Sequence, residues 1–139
     1  MDIRRAPATI KGDSDRFTGE AWYDVLARGE APSRIRVSAV HFAPGARTAW
    51  HAHPLGQTLH VVEGVGRVQA RGGDLLELHA GEIVDTGPGE WHWHGAAPDH
   101  FMTHLAMWEA PDEGLESEWA EHVSDEEYLV PARRQRMDV

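Results

Sequence analysis

Cysteine is absent from the 139 residues. Its absence excludes disulfides, thiolate zinc sites, cysteine-held iron–sulfur clusters and thiol nucleophiles, so a metal must be held by histidine, carboxylate or amide groups. Positive charge is scarce as well: 13 Lys and Arg stand against 23 Asp and Glu, a formal net charge of −10. Lacking a basic surface to neutralise phosphates, the chain is not expected to bind nucleic acid, and no polybasic patch points to an anionic membrane. There is no apolar run of transmembrane length, and Met1 to Ile10 carries Arg4 and Arg5 without an apolar core of signal-peptide length. The expected address is the cytoplasm, by default rather than by signal. Low-complexity repeats and a domain-separating linker are also missing, which predicts one soluble domain over 1–139, long enough at 41% hydrophobic residues to bury a core. Histidine, by contrast, is abundant: ten in all, seven of them between His41 and His94.

Gly and Pro divide the chain into short β-like segments, with no sustained helical period before the end. The pattern predicts strands at Arg16 to Asp24, Ile35 to Phe42, Thr48 to His53, Gln57 to Glu63, Val65 to Ala70, Leu75 to His79, Ile83 to Thr86, His92 to His94 and Phe101 to Trp108. Asp24 to Ser33 reads as turn and loop, Gly64 as the end of one strand, and Arg71-Gly72-Gly73-Asp74 as a hairpin. Eight or so short strands with tight turns make the fold all-β, an antiparallel sandwich or barrel. Glu109 to Glu127 carries nine carboxylates, read as a solvated face. Ser124-Asp125-Glu126-Glu127 fits a helix capping box, and Leu115, Trp119, His122 and Val123 fall at helical spacing, as if to dock one face on the barrel.

Strand side chains alternate, so His51 and His53 face one way, and the Pro54-Leu55-Gly56 turn can bring Gln57 beside them. His92-x-His94 repeats the geometry on a later strand. On these residues the chain resembles the cupins. Gly45, His51, His53, Gln57 and Gly64 match the family's first motif, G-x5-H-x-H-x3,4-E-x6-G, at every spacing, with Gln in place of Glu. Gly81, Gly89 and His92 match the second, G-x5-P-x-G-x2-H-x3-N, with Gly87 and Ala96 at the Pro and Asn positions. The resemblance spans Ile35 to Trp108 and implies a jelly-roll barrel of antiparallel strands, with a core at about 35–108, an acidic tail at 109–139 and a short C-terminal helical segment. It also implies a divalent metal held by His51, His53, Gln57 and His92. The runs ARTAWHAHPLGQTL and PGEWHWHGAAP and the later MTHLA resemble the small single-domain bacterial cupins that include manganese-dependent hydroxynitrile lyases.

Four neutral ligands would leave the ion's charge uncompensated and make it a stronger Lewis acid, and the hard amide oxygen suits manganese or iron. Manganese is the expected metal, with iron, zinc and nickel as alternatives. His94 and His104 are the candidate reacting groups; for His94 the alternatives are a group supporting a ligand or a packed polar side chain, and for His104 a cavity position and a core position weigh equally. The resemblance implies a lyase cleaving or forming aromatic cyanohydrins, with Ser38, Val40, Leu59 and Trp108 as cavity wall. An iron dioxygenase and a non-catalytic small-ligand binder are the other two classes. His41, His60, His79, His100 and His122 have no partner at ligand spacing and read as surface or interface residues. Trp50, Trp91 and Trp93 should face away from the histidines, toward a partner sheet or a dimer interface. Arg47 reads as a surface salt bridge, with anion binding as its other role. The expected partners are a small-molecule substrate and a second copy of the chain, as homodimer or homotetramer.

Overall fold

The structure, a computed structural model, describes residues 1–136, so the last three residues of the expected 109–139 tail lie outside the described residues. Its strands are β1 (Ile10–Lys11), β2 (Phe17–Thr18), β3 (Ala21–Ala27), β4 (Ile35–Phe42), β5 (Arg47–Thr48), β6 (His51–Ala52), β7 (Gln57–Ala70), β8 (Leu76–His79), β9 (Ile83–Thr86), β10 (His92–Ala96), β11 (Met102–Glu109) and β12 (Glu118–Trp119). One helical turn, α1, covers Asp125–Tyr128. All strand pairings are antiparallel, as the tight turns predicted, and the backbone order β1-β3-β4-β11-β7-β10-β5-β2 curls into a barrel. Val40, Phe42, Leu59, Val61, Val68, Met102 and Ala106 belong to the buried apolar core of that barrel.

β7 corrects the reading of Gly64 as a strand end. Gln57 to Ala70 is one strand of 14 residues. Its first half pairs with β11 and β9, and its second half with β8 and β10. Gly64, with φ of +84°, marks the bend between the halves; a Cβ there would collide with the Phe101 carbonyl oxygen. The local glycine signal was real, but it served a bend that lets one strand join both walls.

Three further expectations change. The first strand divides into β2 and β3, and β3 runs on to Ala27 through residues assigned to a loop. Thr48 to His53 divides into β5 and β6. The tail does not lay down a helix at 115–123: Glu118 and Trp119 form β12 against β6, and only the capped turn after Ser124 is helical. Both halves of its capping box are present, with Glu127 N–H donating to Ser124 Oγ at 3.1 Å and Ser124 N–H to Glu127 Oε1 at 3.0 Å.

On the opposite face of β10 from the histidines, Trp50 and Trp93 are buried with Leu75, Val123 and Tyr128, and the partly buried Trp91 packs against them. The chain's own C-terminal segment covers these indoles. Arg47 is likewise not a surface group. It is 5% exposed, donates to Val123 O at 3.2 and 2.7 Å and to Asp125 at 2.7 Å, and lies over the Tyr128 ring. No helix among the described residues is long and apolar enough to cross a membrane.

Candidate metal centre and cavity

Strand register builds the centre. His51 of β6 stands directly opposite His92 of β10, which puts their ring centroids 4.3 Å apart. After His53 the chain turns, with Gly56 N–H donating to His53 O at 3.1 Å, and β7 begins at Gln57. Ligating atoms of His51, His53 and His92 all lie within 4.8 Å of one another, and all three residues are buried.

Each imidazole is held through Nδ1 by a backbone carbonyl: His51 by Ala49 at 2.9 Å, His53 by Glu116 at 3.2 Å, His92 by Glu90 at 2.9 Å. These bonds place the ring proton on Nδ1 and leave the Nε2 lone pair available, the tautomer a metal requires. Burial, reinforced at His51 and His53 by the neighbouring imidazoles, favours the neutral rings. It lowers His51 well below the ordinary histidine value, takes His53 to about 4, and lowers His92. His53 Nε2 is buried with no partner among the described residues. Gln57 Oε1 lies 3.2 Å from His92 Nε2, an acceptor facing an acceptor once Nδ1 carries the proton. A cation between them resolves that conflict and satisfies His53 as well, so the residues present fit a divalent metal.

A cavity of about 530 Å³ opens above these groups. His51, His53, Gln57 and His94 line its inner end, and Ser38, Val40, Ala106 and Trp108 its wall. Leu59, expected among the wall residues, is instead fully buried in the apolar core. His94 and His104 do come together: His94 Nδ1 and His104 Nε2 are 2.9 Å apart. His94 lines the cavity, with Nε2 buried and unpartnered among the described residues, whereas His104 is fully buried behind it and does not line the cavity. Burial lowers both, His94 well below the ordinary value and His104 to about 4.

The pattern reading missed the tail's contribution. Glu116 and Ser117 hold His53 Nδ1, the latter through Oγ at 3.1 Å, and Trp119 stacks on His51 with centroids 4.4 Å apart. The Glu116 carboxylate accepts from Arg36 at 3.0 Å and from Trp108 Nε1 at 3.1 Å, which pins this segment over the cavity. Nothing in an acidic run of that composition distinguishes these residues from a solvated face. Of the five histidines set aside, none is among the cavity-lining residues, and His41 bonds Asp24 and Thr103 at 2.9 and 3.1 Å.

The cupin domain family profile matches residues 38–108, slightly more than half of the chain. The chain belongs to the cupin family. An (R)-mandelonitrile lyase of Granulicella tundricola is 50% identical over 130 residues, covering 92% of this cupin and 98% of the relative. Among solved structures, a cupin-like protein from Thermotoga maritima shares 39% identity with a TM-score of 0.79, covering 92% of this chain and 95% of its own. A cupin 2 conserved barrel domain protein from Rhodopseudomonas palustris, at 13% identity and a TM-score of 0.66, covers 81% of this chain and 76% of its own; it shares the fold. The all-β barrel expected for a cupin is thus the observed fold.

Proposed function

We propose that this cupin is a manganese-dependent carbon–carbon lyase that cleaves aromatic cyanohydrins, and forms them in reverse. The observation that carries the reading is His94: a buried imidazole nitrogen with no partner among the described residues, on the wall of a cavity that begins at a three-histidine cluster. The 50% identical relative named as an (R)-mandelonitrile lyase supports the substrate class.

When bound by His51, His53, His92 and Gln57, a divalent ion supplies Lewis acidity toward an oxygen that gains negative charge, and manganese suits the hard amide ligand. The protein's own groups carry the proton. With the shared proton on His94 Nδ1 and donated to His104 Nε2, His94 Nε2 offers its lone pair to the cavity. It takes the hydroxyl proton as the carbon–cyanide bond breaks, its electron pair leaving with cyanide while the carbonyl forms. The imidazolium then returns a proton to cyanide, giving aldehyde and hydrogen cyanide. His104 touches His94 rather than the cavity, so its part is to hold the tautomer. Trp108 and Val40 supply apolar wall for an aryl group.

The test is manganese-loaded protein with mandelonitrile at mildly acidic pH. Benzaldehyde and cyanide are expected in equal amounts with no oxygen uptake, and His94→Ala is expected to lower kcat by about 10²–10⁴. No benzaldehyde above the blank would overturn the reading. Oxygen consumption that tracks substrate loss would replace it with a dioxygenase.

A further inference from the structure

Five charged side chains other than histidine line the cavity: Arg16, Arg28 and Arg36 against Asp13 and Glu116. The lining is therefore net positive in a chain whose formal charge is −10. Both carboxylates are already engaged, Glu116 by Arg36 and Trp108, and Asp13 by the backbone N–H groups of Asp15 and Arg16 at 3.1 and 3.0 Å. Among the described residues, neither the Arg16 nor the Arg28 guanidinium makes a hydrogen bond or comes within 4.0 Å of a carboxylate. Elsewhere Arg34, Arg71, Arg133 and Arg134, also exposed, each hold an acidic partner. Two unpaired cations at the mouth of one cavity, in a chain with an excess of acids, are placed to receive an anion from outside.

Their position relative to the metal centre sets the anion's place on the ligand. Arg16 lies over the Trp119 ring at 5.4 Å, and His51 stacks on the same indole at 4.4 Å. The cation therefore stands one side chain removed from the imidazole cluster rather than in contact with it, on the part of the lining remote from the ligating nitrogens. Arg28, the residue after β3, shares the cavity lining with Arg36, whose Nη1 bonds the Arg28 carbonyl. The Ser38 and Tyr23 hydroxyls, also on the wall, have no hydrogen-bond partner among the described residues.

We propose that the substrate carries a carboxylate at the end remote from the reacting carbon, and that Arg16 and Arg28 bind it at the cavity mouth; the proposal rests on the lyase reading for what happens at the other end. A metal centre with no carboxylate ligand adds to the attraction of an anionic substrate, and long-range steering should make the preference salt-dependent.

The experiment compares 4-carboxymandelonitrile with mandelonitrile in manganese-loaded wild type, Arg16→Gln, Arg28→Gln and the double variant. Binding of 4-(hydroxymethyl)benzoate and of benzyl alcohol, neither of which is cleaved, is measured by calorimetry alongside. A ratio of kcat/KM of about fivefold or more for the carboxylated substrate at low salt is expected, dropping toward one in the double variant and in high salt. Equal efficiency for the two nitriles, or a preference that survives the double substitution, overturns the proposal while leaving the lyase standing. If neither nitrile is cleaved but the hydroxymethylbenzoate binds more tightly in an arginine-dependent way, the lyase reading fails and the anion site stands. Equal binding of the two alcohols without turnover overturns both.

Discussion

β10 and the residues around His51 present two faces made of alternating residues. On one, His51 and His94 line the cavity and His92 joins His51 in the imidazole cluster; on the other, Trp50 and Trp93 pack beneath the C-terminal segment. Both faces are buried, and they differ in how their polar atoms are satisfied. On the outer face Trp93 Nε1 donates to Gln69 at 3.0 Å and the Tyr128 hydroxyl to Ala96 O at 2.5 Å. On the inner side lie three buried side-chain atoms that have no partner among the described residues, His53 Nε2, His94 Nε2 and His104 Nδ1. An unmade buried hydrogen bond costs roughly 1–3 kcal/mol, so the inner face carries a destabilising burden that the outer face does not. The outer face stabilises the barrel; the inner face is arranged for something that arrives.

The largest effect that tests this difference is on metal content. After reconstitution with manganese, replacing His51 and His53 together with Ala should take the bound metal from near one equivalent to almost none by elemental analysis, with the barrel still folded by circular dichroism. Saturating metal should raise the wild-type unfolding midpoint, by about 2.7 kcal/mol equivalent at a hundred times Kd, and leave the double variant unmoved. Next in size is Trp93→Ala, which should destabilise by about 3–5 kcal/mol in denaturant titration because it opens a cavity in a closed apolar cluster. Metal stoichiometry in the folded fraction should persist. If Trp93→Ala instead lost metal before stability, the two faces would not be separate in function.

Much of this arrangement is legible in the sequence, and the reasons differ by element. The W-H-W-H alternation of Trp91 to His94 is short-range: strand geometry alone sends His92 and His94 one way and Trp93 the other. The Gly45 to Gly64 motif spacing then places Gln57 beside the histidines. Legibility ends where a contact depends on distant chain. Leu115, Trp119 and Val123 have helical spacing, yet pairing of Trp119 with His51 across β6 and β12 outweighs that weak local preference. Arg47 could not be seen to be buried, because its cover is formed by Val123 and Asp125, far along the chain. The cavity mouth is likewise assembled from Arg16, Arg28 and Glu116, three segments with no shared local signal.

A pH titration separates the faces at intermediate size. Burial holds His104 at about 4 against an ordinary 6.5, so between those values the unfolded chain binds the extra proton and the folded one does not. The contribution is sign-definite: stability is undiminished above about 6.5 and falls as pH drops toward 4, by roughly 3 kcal/mol for this residue. Metal-free protein should show a slope in denaturant midpoints to which His51, His53, His92 and His94 contribute in the same direction, and His104→Gln should remove only its own share. The outer cluster contains no histidine, so Trp93→Ala should lower the whole curve without changing its slope. A slope unchanged by His104→Gln would place the titration elsewhere.

The smallest expected effect lies at the edge of the outer face, in the ion pair between Arg47 and Asp125. The arginine side chain is 6% exposed and the aspartate 84%, so water screens one end of the pair. Arg47 also keeps both bonds to Val123 O and its place over Tyr128 when the carboxylate is removed. Asp125→Asn should therefore cost about 0.5–1 kcal/mol, partly through the first turn of α1, where an acid favours the helix N-terminus. Arg47→Met should cost several times more, because it leaves the Val123 carbonyl buried and unbonded. Equal losses for the two variants, measured by denaturant titration, would mean that the charge rather than the packed indoles and the Val123 bonds holds the C-terminal segment in place.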